Sequence, residues 1–217
     1  MLGMLIKDIR LIKNQGLRTF LIIGGMGLLL MTSSVVDAYM LVTYITIIGF
    51  IYTLNTLSFD AYDNGYSFMF TLPINARIYV VEKYLFSAAV TFAGCMISGV
   101  IVGIYNGSLG DIEHWIKCIS TNISIFWMIM FSIPINLKFG VEKGRVMIFA
   151  MAMGIVAGVY LLSLVSRDSV MAVLYNIMEF IDNMNGKQLI VAGGIATLAA
   201  LAVSMGVSIH VMDRKEF

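Results

Sequence analysis

Residues 84–110 read YLFSAAVTFAGCMISGVIVGIYNGSLG, a run with no Asp, Glu, Lys, Arg or His. A helix rises about 1.5 Å per residue and the hydrocarbon core of a bilayer is about 30 Å thick, so about 20 such residues suffice to cross it. A charge at the centre of a spanning helix costs about 2.5–3.5 kcal/mol, so an uncharged stretch this long marks a membrane segment. Working outward, comparable runs occur at 19–36, 38–59, 118–137, 146–166 and 188–209. Composition agrees: the 217 residues are 59% hydrophobic and 12% charged, against roughly 45–50% and about 25% in a soluble domain.

These runs predict an all-α, polytopic membrane protein with six transmembrane helices, at about 19–36, 38–59, 80–105, 115–137, 146–166 and 188–211, forming one domain over 1–217. The first run follows Lys7, Arg10, Lys13 and Arg18, but it exceeds a secretory h-region and no A-x-A site follows, so it is expected to remain in place. Eleven Lys and Arg lie in the N-terminal stretch, the 60–83 loop, the 136–146 loop and the C-terminal tail, against three (Lys117, Arg167, Lys187) in the alternate loops. The positive-inside rule therefore places both termini in the cytoplasm. An even number of spans requires the same.

The net charge of +1 points to no nucleic-acid partner. Cys95 and Cys118 lack CxxC spacing and read as buried thiols, with no disulfide framework and no metal site. No ionisable group lies within the six runs, which argues against proton or sodium coupling inside this chain. Asp37, His114 and His210 fall at span boundaries or in loops, where solvation or interfacial anchoring accounts for them. Ser208 and His210 are two apart and point in different directions on a helix, so they form no nucleophile and base pair. No HExxH, GxSxG or phosphate-cradling loop is present, so no catalytic residue is assigned and any ATP is bound by another chain.

Small residues recur four apart in several spans: Gly94 and Ser98, Gly99 and Gly103, then Ala150, Gly154 and Gly158, then Ala196, Ala200 and Ser204. Such rows let helix backbones approach closely in lipid. Tyr52, Asn55 and Thr56 share a face of the second span, and Asn122 lies in the fourth. Interhelical hydrogen bonding and lining of a substrate path are both open to them.

The loop after the second span is patterned. Phe59, Tyr62, Tyr66, Met69, Phe70 and Pro73 fall on one helical face, and Asp60, Asp63, Asn64, Ser67 and Thr71 on the other. A short amphipathic helix at the cytoplasmic surface is expected, a natural docking element for a soluble partner. Asn75 then reads as the N-cap of a helix that starts in the cytoplasm with Arg77, Glu82 and Lys83. At the N-terminus, Leu2, Leu5, Ile6, Ile9 and Ile12 oppose Lys7, Asp8, Arg10 and Lys13, predicting an interfacial amphipathic helix over 1–16 with its apolar face in the membrane lipid. The loop 136–146 is short, basic and glycine-punctuated. In the outer loop 167–187, Val170, Leu174, Ile177 and Ile181 suggest a helix resting on, or dipping into, the outer leaflet.

Taken in order, Met4-Leu5-Ile6-Lys7-Asp8, Phe59-Asp60, Thr71-Leu72-Pro73-Ile74, Arg77, Val80-Val81-Glu82-Lys83-Tyr84, Pro134, Lys138-Phe139-Gly140 and Glu142-Lys143-Gly144-Arg145 resemble the membrane (permease) subunit of a type-2 ABC transporter, in its short bacterial six-span branch. The resemblance implies a half-transporter in the bacterial cytoplasmic membrane that forms a homo- or heterodimer with a second permease subunit and recruits a separate ATPase. That partner, not this chain, would hold ATP and Mg. It also implies that the cytoplasmic loop 60–79 carries the coupling helix, with Asp60, Tyr62, Asp63, Asn64, Tyr66, Phe68, Phe70, Leu72 and Pro73, joined by Glu142 and Lys143, facing the ATPase. The outer loop before the last span would close the extracellular gate. In size the chain most resembles Gram-positive exporters of amphipathic peptides such as phenol-soluble modulins. Export of drugs or lipids is the alternative, ahead of a membrane enzyme or a structural membrane protein.

Overall fold

The computed structural model describes residues 2–13, 37–62, 65–66, 75–165 and 186–215, with isolated positions at 22, 24–27, 29 and 175. All regular structure among them is helical: α1 (Leu2–Leu11), α2 (Met40–Ala61), α3 (Ala76–Asn106), α4 (Ile112–Phe139), α5 (Val141–Val165) and α6 (Gly186–Asp213). Five of these, α2 to α6, are long and apolar enough to cross a membrane. They correspond to the expected second to sixth spans. Most of the expected first span, of the coupling loop and of the outer loop 167–187 lies outside the described residues, although positions 24–27 are helical and α6 already begins at Gly186.

Helix boundaries follow local chemistry. Asn75 is extended and precedes α3 as expected, but its side chain makes no capping hydrogen bond; its carbonyl accepts the Tyr79 N–H at 3.1 Å. Gly107 ends α3 in the left-handed conformation, φ 67°, and its N–H returns to the Gly103 and Ile104 carbonyls, an ending a residue without Cβ adopts at little cost. Where a loop over 136–146 was expected, α4 and α5 instead run on to either side of Gly140 alone, at φ 81°. This tight junction requires a second glycine, because a Cβ on Gly144 would collide with the backbone and side chain of Asn136. Gly144→Ala is expected to destabilise the α4–α5 junction by about 1–3 kcal/mol through overpacking, read as a lower unfolding midpoint in detergent.

Packing divides into two apolar clusters. One, nearer the charge-rich end, joins Met4 of α1 to Leu54, Leu57, Tyr79, Val80, Tyr84, Ile129, Ile133, Leu137 and Met212. The other, at the opposite end, joins Leu41, Val42, Ile45, Cys95, Val102 and Cys118. α2 packs along α3 and α4, α6 against α4 and α3, and α5 mainly against α4. Beyond Gly144, none of the described side chains of α5 is buried inside the chain. Its Phe149, Met153 and Val156 are each at least 70% exposed at i, i+4, i+7 spacing. A soluble protein could not carry such a face, whereas hydrocarbon wets it at no cost.

Small residues do what their spacing predicted in α3. A Cβ on Gly99 would sit 3.3–3.4 Å from Trp115 and Cys118 atoms, and one on Gly103 2.8 Å from Leu109. The Gly154 and Gly158 row of α5, by contrast, meets no atom within 4 Å. Buried threonines of α2 and α3 are satisfied within their own helices: Thr46 donates to the Val42 carbonyl at 2.6 Å, Thr53 to Gly49 at 3.1 Å and Thr91 to Ser87 at 2.8 Å.

Pro134 leaves a specific mark. Lacking an N–H, it cannot bond the carbonyl four residues earlier, that of Met130. The Ser204 hydroxyl of α6 takes that carbonyl, while Tyr84 of α3 reaches Ser204 at 2.5 Å and Ser208 at 3.0 Å. One missing backbone donor thus becomes a polar tie among three spans. Ser204→Ala would leave the Met130 carbonyl unpaired in an apolar setting. The expected loss is about 1–3 kcal/mol, seen as faster hydrogen exchange around residues 130–134.

A charge cluster as candidate functional site

Asp60, Glu82 and Lys83, expected in the cytoplasmic loop and at the cytoplasmic start of the helix after it, are packed inside the bundle. They are at most 5% exposed, and Asp8 of α1 is fully buried with them. The helical register explains how. On α1, Asp8 follows Met4 by one turn, and these two enter the bundle while Ile6 and Ile9 point away from it, as an interfacial helix requires. On α2, Asp60 lies one turn beyond Leu57 and Thr56, both buried. On α3, Lys83 lies one turn beyond Tyr79.

Lys83 is the hub. Its ammonium pairs with Asp8 of α1 and with Asp60 of α2, the latter at 2.7 Å, and stands 3.8 Å from Glu82. Lys7 pairs with Asp60 from the other side and lies 3.4 Å from Asp8. Tyr79 donates its hydroxyl to Asp60 at 3.1 Å. Both oxygens of Glu82 are buried without a hydrogen-bond partner. Within the cluster, two ammonium groups face three carboxylates.

Tyr66, from the loop after α2, covers the cluster. Its ring packs edge-on against Tyr79 with centroids 5.9 Å apart, and the Lys215 ammonium lies 5.1 Å from its centre. Lys215 also donates to the Leu137 carbonyl at 2.8 Å, bringing the end of α6 to the end of α4. Burial raises the Tyr66 phenol above its ordinary pKa despite a hydrogen bond with Tyr79 that lowers it. Burial likewise pulls Lys215 down. α1, the ends of α2, α4 and α6, and the start of α3 are therefore joined at one end of the bundle.

Other expected site residues separate by exposure. Tyr62 is 73% exposed, and Glu142 and Lys143 are exposed at the start of α5. Tyr66 and Asp60 are buried instead of presented. Asp63, Asn64, Phe68, Phe70, Leu72 and Pro73 lie outside the described residues. Of the path candidates, Thr56 is buried and donates to the Thr53 carbonyl at 2.9 Å, Tyr52 and Asn55 are half-buried, and the Asn122 amide nitrogen is buried without a partner.

His114 is a second correction. Read as a loop residue, it sits in the first turn of α4, 1% exposed. Its Nδ1 meets the Tyr39 hydroxyl at 3.0 Å and its Nε2 meets the Gly99 carbonyl at 2.9 Å. It ties α4 to α3 and to the residue before α2, where the absence of a Cβ on Gly103 leaves room for the ring. Ser208 and His210 do separate as expected, one buried and the other exposed. Cys95 and Cys118 are free and buried, with the Cys95 thiol donating to the Cys118 carbonyl at 3.2 Å. No group of His, Cys, Asp and Glu suited to a metal ion occurs among the described residues.

Five apolar helices of spanning length with their buried charges gathered at one end define a multi-pass membrane protein whose polar machinery is a junction between helices. The family model for "ABC-2 family transporter protein" matches residues 3–213, and the chain belongs to that family of membrane permeases. Membership implies, in general terms, an ATPase partner for the membrane component. No curated protein and no solved structure gives a significant match to the chain.

Proposed function

We propose that the chain is the transmembrane subunit of an ATP-driven ABC exporter in the bacterial cytoplasmic membrane. It pairs with a second permease subunit and seats a separate ATPase, which holds ATP and Mg, on the face formed by the 60–79 loop, Glu142 and Lys143. Its cargo is an amphipathic substrate, a peptide. The observation that carries this reading is the position of Asp60, which ends α2, opens the loop and is held by Lys7 of α1 and Lys83 of α3. An ATPase that binds the loop differently in its two nucleotide states biases the bundle through those ion pairs, and only such differential binding couples hydrolysis to movement.

The reading requires an ABC ATPase gene beside the one for this chain, and the test is co-expression of the two followed by affinity capture on the permease. Stoichiometric recovery is expected, with ATP hydrolysis in proteoliposomes stimulated by amphipathic helical peptides. No recovery of the ATPase, or stimulation by small drugs or lipids alone, overturns respectively the partner or the cargo.

A further inference from the structure

One face of α1 carries the exposed Arg10 and, one turn before it, the part-exposed Lys7 whose ammonium turns in to Asp60. Gly3, Ile6, Lys7, Arg10 and Leu11 line a concavity of about 330 Å³ along this helix. A Cβ on Gly3 would meet nothing within 4 Å, so the concavity is uncovered at that residue. Arg10 is exposed and makes no ion pair with any described residue. Lys7 is shared: its side chain is 37% exposed on this side while its ammonium reaches Asp60 on the other. Ile6 and Ile9, 50% and 57% exposed, flank the two cations.

Charge and apolar surface in this arrangement suit one ligand chemistry. A phosphate set between Lys7 and Arg10, one turn apart, needs two donors and no alkane. The flanking isoleucines need acyl chain and no charge. We propose that this concavity binds the headgroup phosphate of an anionic phospholipid of the inner leaflet, its chains lying over Ile6 and Ile9. Because Lys7 serves both the headgroup and Asp60, bound lipid competes for the cation that holds the start of the 60–79 loop. Headgroup binding itself does not depend on the exporter reading and can be measured on the permease alone.

The full chain, purified in a neutral detergent and stripped of lipid, is titrated with phosphatidylglycerol or phosphatidylcholine and the retained lipid is counted by native mass spectrometry. Retention of phosphatidylglycerol is expected to exceed that of phosphatidylcholine several-fold. Arg10→Gln should reduce the excess about fivefold, the equivalent of the roughly 1 kcal/mol that a cation near an anionic surface contributes. Lys138→Gln, which removes an exposed cation at the end of α4, should leave it intact. Equal retention of the two lipids, or equal losses in the two variants, overturns the site. Displacement of the lipid by millimolar inorganic phosphate would instead mean a phosphate site without lipid specificity, and overturns it as well.

Discussion

Lys83→Met is expected to be the most damaging single change in the chain, destabilising it by about 3–5 kcal/mol, because removing one member of a buried ion pair strands its partners. Lys83 is fully buried and serves carboxylates on two other helices. Without it, Asp60 keeps Lys7 and the Tyr79 hydroxyl, but Asp8 keeps only Lys7 at 3.4 Å. One ammonium would then face three buried carboxylates. Met conserves the length and apolar stem of the side chain, so the loss reports charge and not a cavity. α1 should detach first, since among its described side chains only Met4 and Asp8 are buried. Hydrogen exchange over residues 2–11 should rise before the spans respond, and the unfolding midpoint in detergent should fall. The triple variant Lys83→Met, Asp8→Asn, Asp60→Asn should recover at least half of the loss, as removing a whole buried ionic group costs less than breaking it. A Lys83→Met protein as stable as the parent would mean that these groups are not paired.

The contrast between what the sequence revealed and what it hid follows from this site. α2 to α6 were legible because exclusion of charge from a bilayer acts on each helix separately, so one strand of sequence carries the whole signal. Asn75 before α3 was legible for the same local reason, whereas the 136–146 stretch showed its glycines without showing that the two helices run on to either side of Gly140. Asp60, Glu82 and Lys83 were not legible, since each stands just outside a charge-free run and is indistinguishable there from a solvated flanking charge, and Asp8 was not, since it falls on the polar face of an interfacial helix. Their burial depends on α1 and the end of α2 closing over the start of α3, contacts between residues 53 and 75 positions apart. A signal did exist. Met4 and Asp8, Leu57 and Asp60, Tyr79 and Lys83 each put a charge on the turn after a large apolar residue, so the charge continues the apolar face. His114 was hidden in the same way: its burial rests on the space at Gly103 and the carbonyl of Gly99, which spacing showed as small residues without showing what fills the gap.

Under the proposed function, the double change Tyr62→Ala and Asp63→Ala should abolish export, by more than tenfold, while leaving ATP hydrolysis by the bound partner in place. Tyr62 caps α2 in an extended conformation and is exposed, with the buried Asp60 two residues before it. Removing an exposed ring at such a position costs the fold little, typically within about 0.5 kcal/mol, so loss of transport cannot be ascribed to unfolding. Its effect should fall on the partner, because exposed aromatic residues supply most of the anchoring energy in protein interfaces. Asp60→Asn provides the complementary measurement. It keeps the outer surface of the loop but removes the charge held by Lys7 and Lys83, so the ATPase should still bind and hydrolyse ATP while its movement no longer reaches α1 and α3. Both variants should therefore hydrolyse ATP without export, and only the first should also weaken recovery of the ATPase on the permease. If the double variant exports normally, the loop is not the transmission point. If Asp60→Asn exports normally, the loop transmits without the charge cluster.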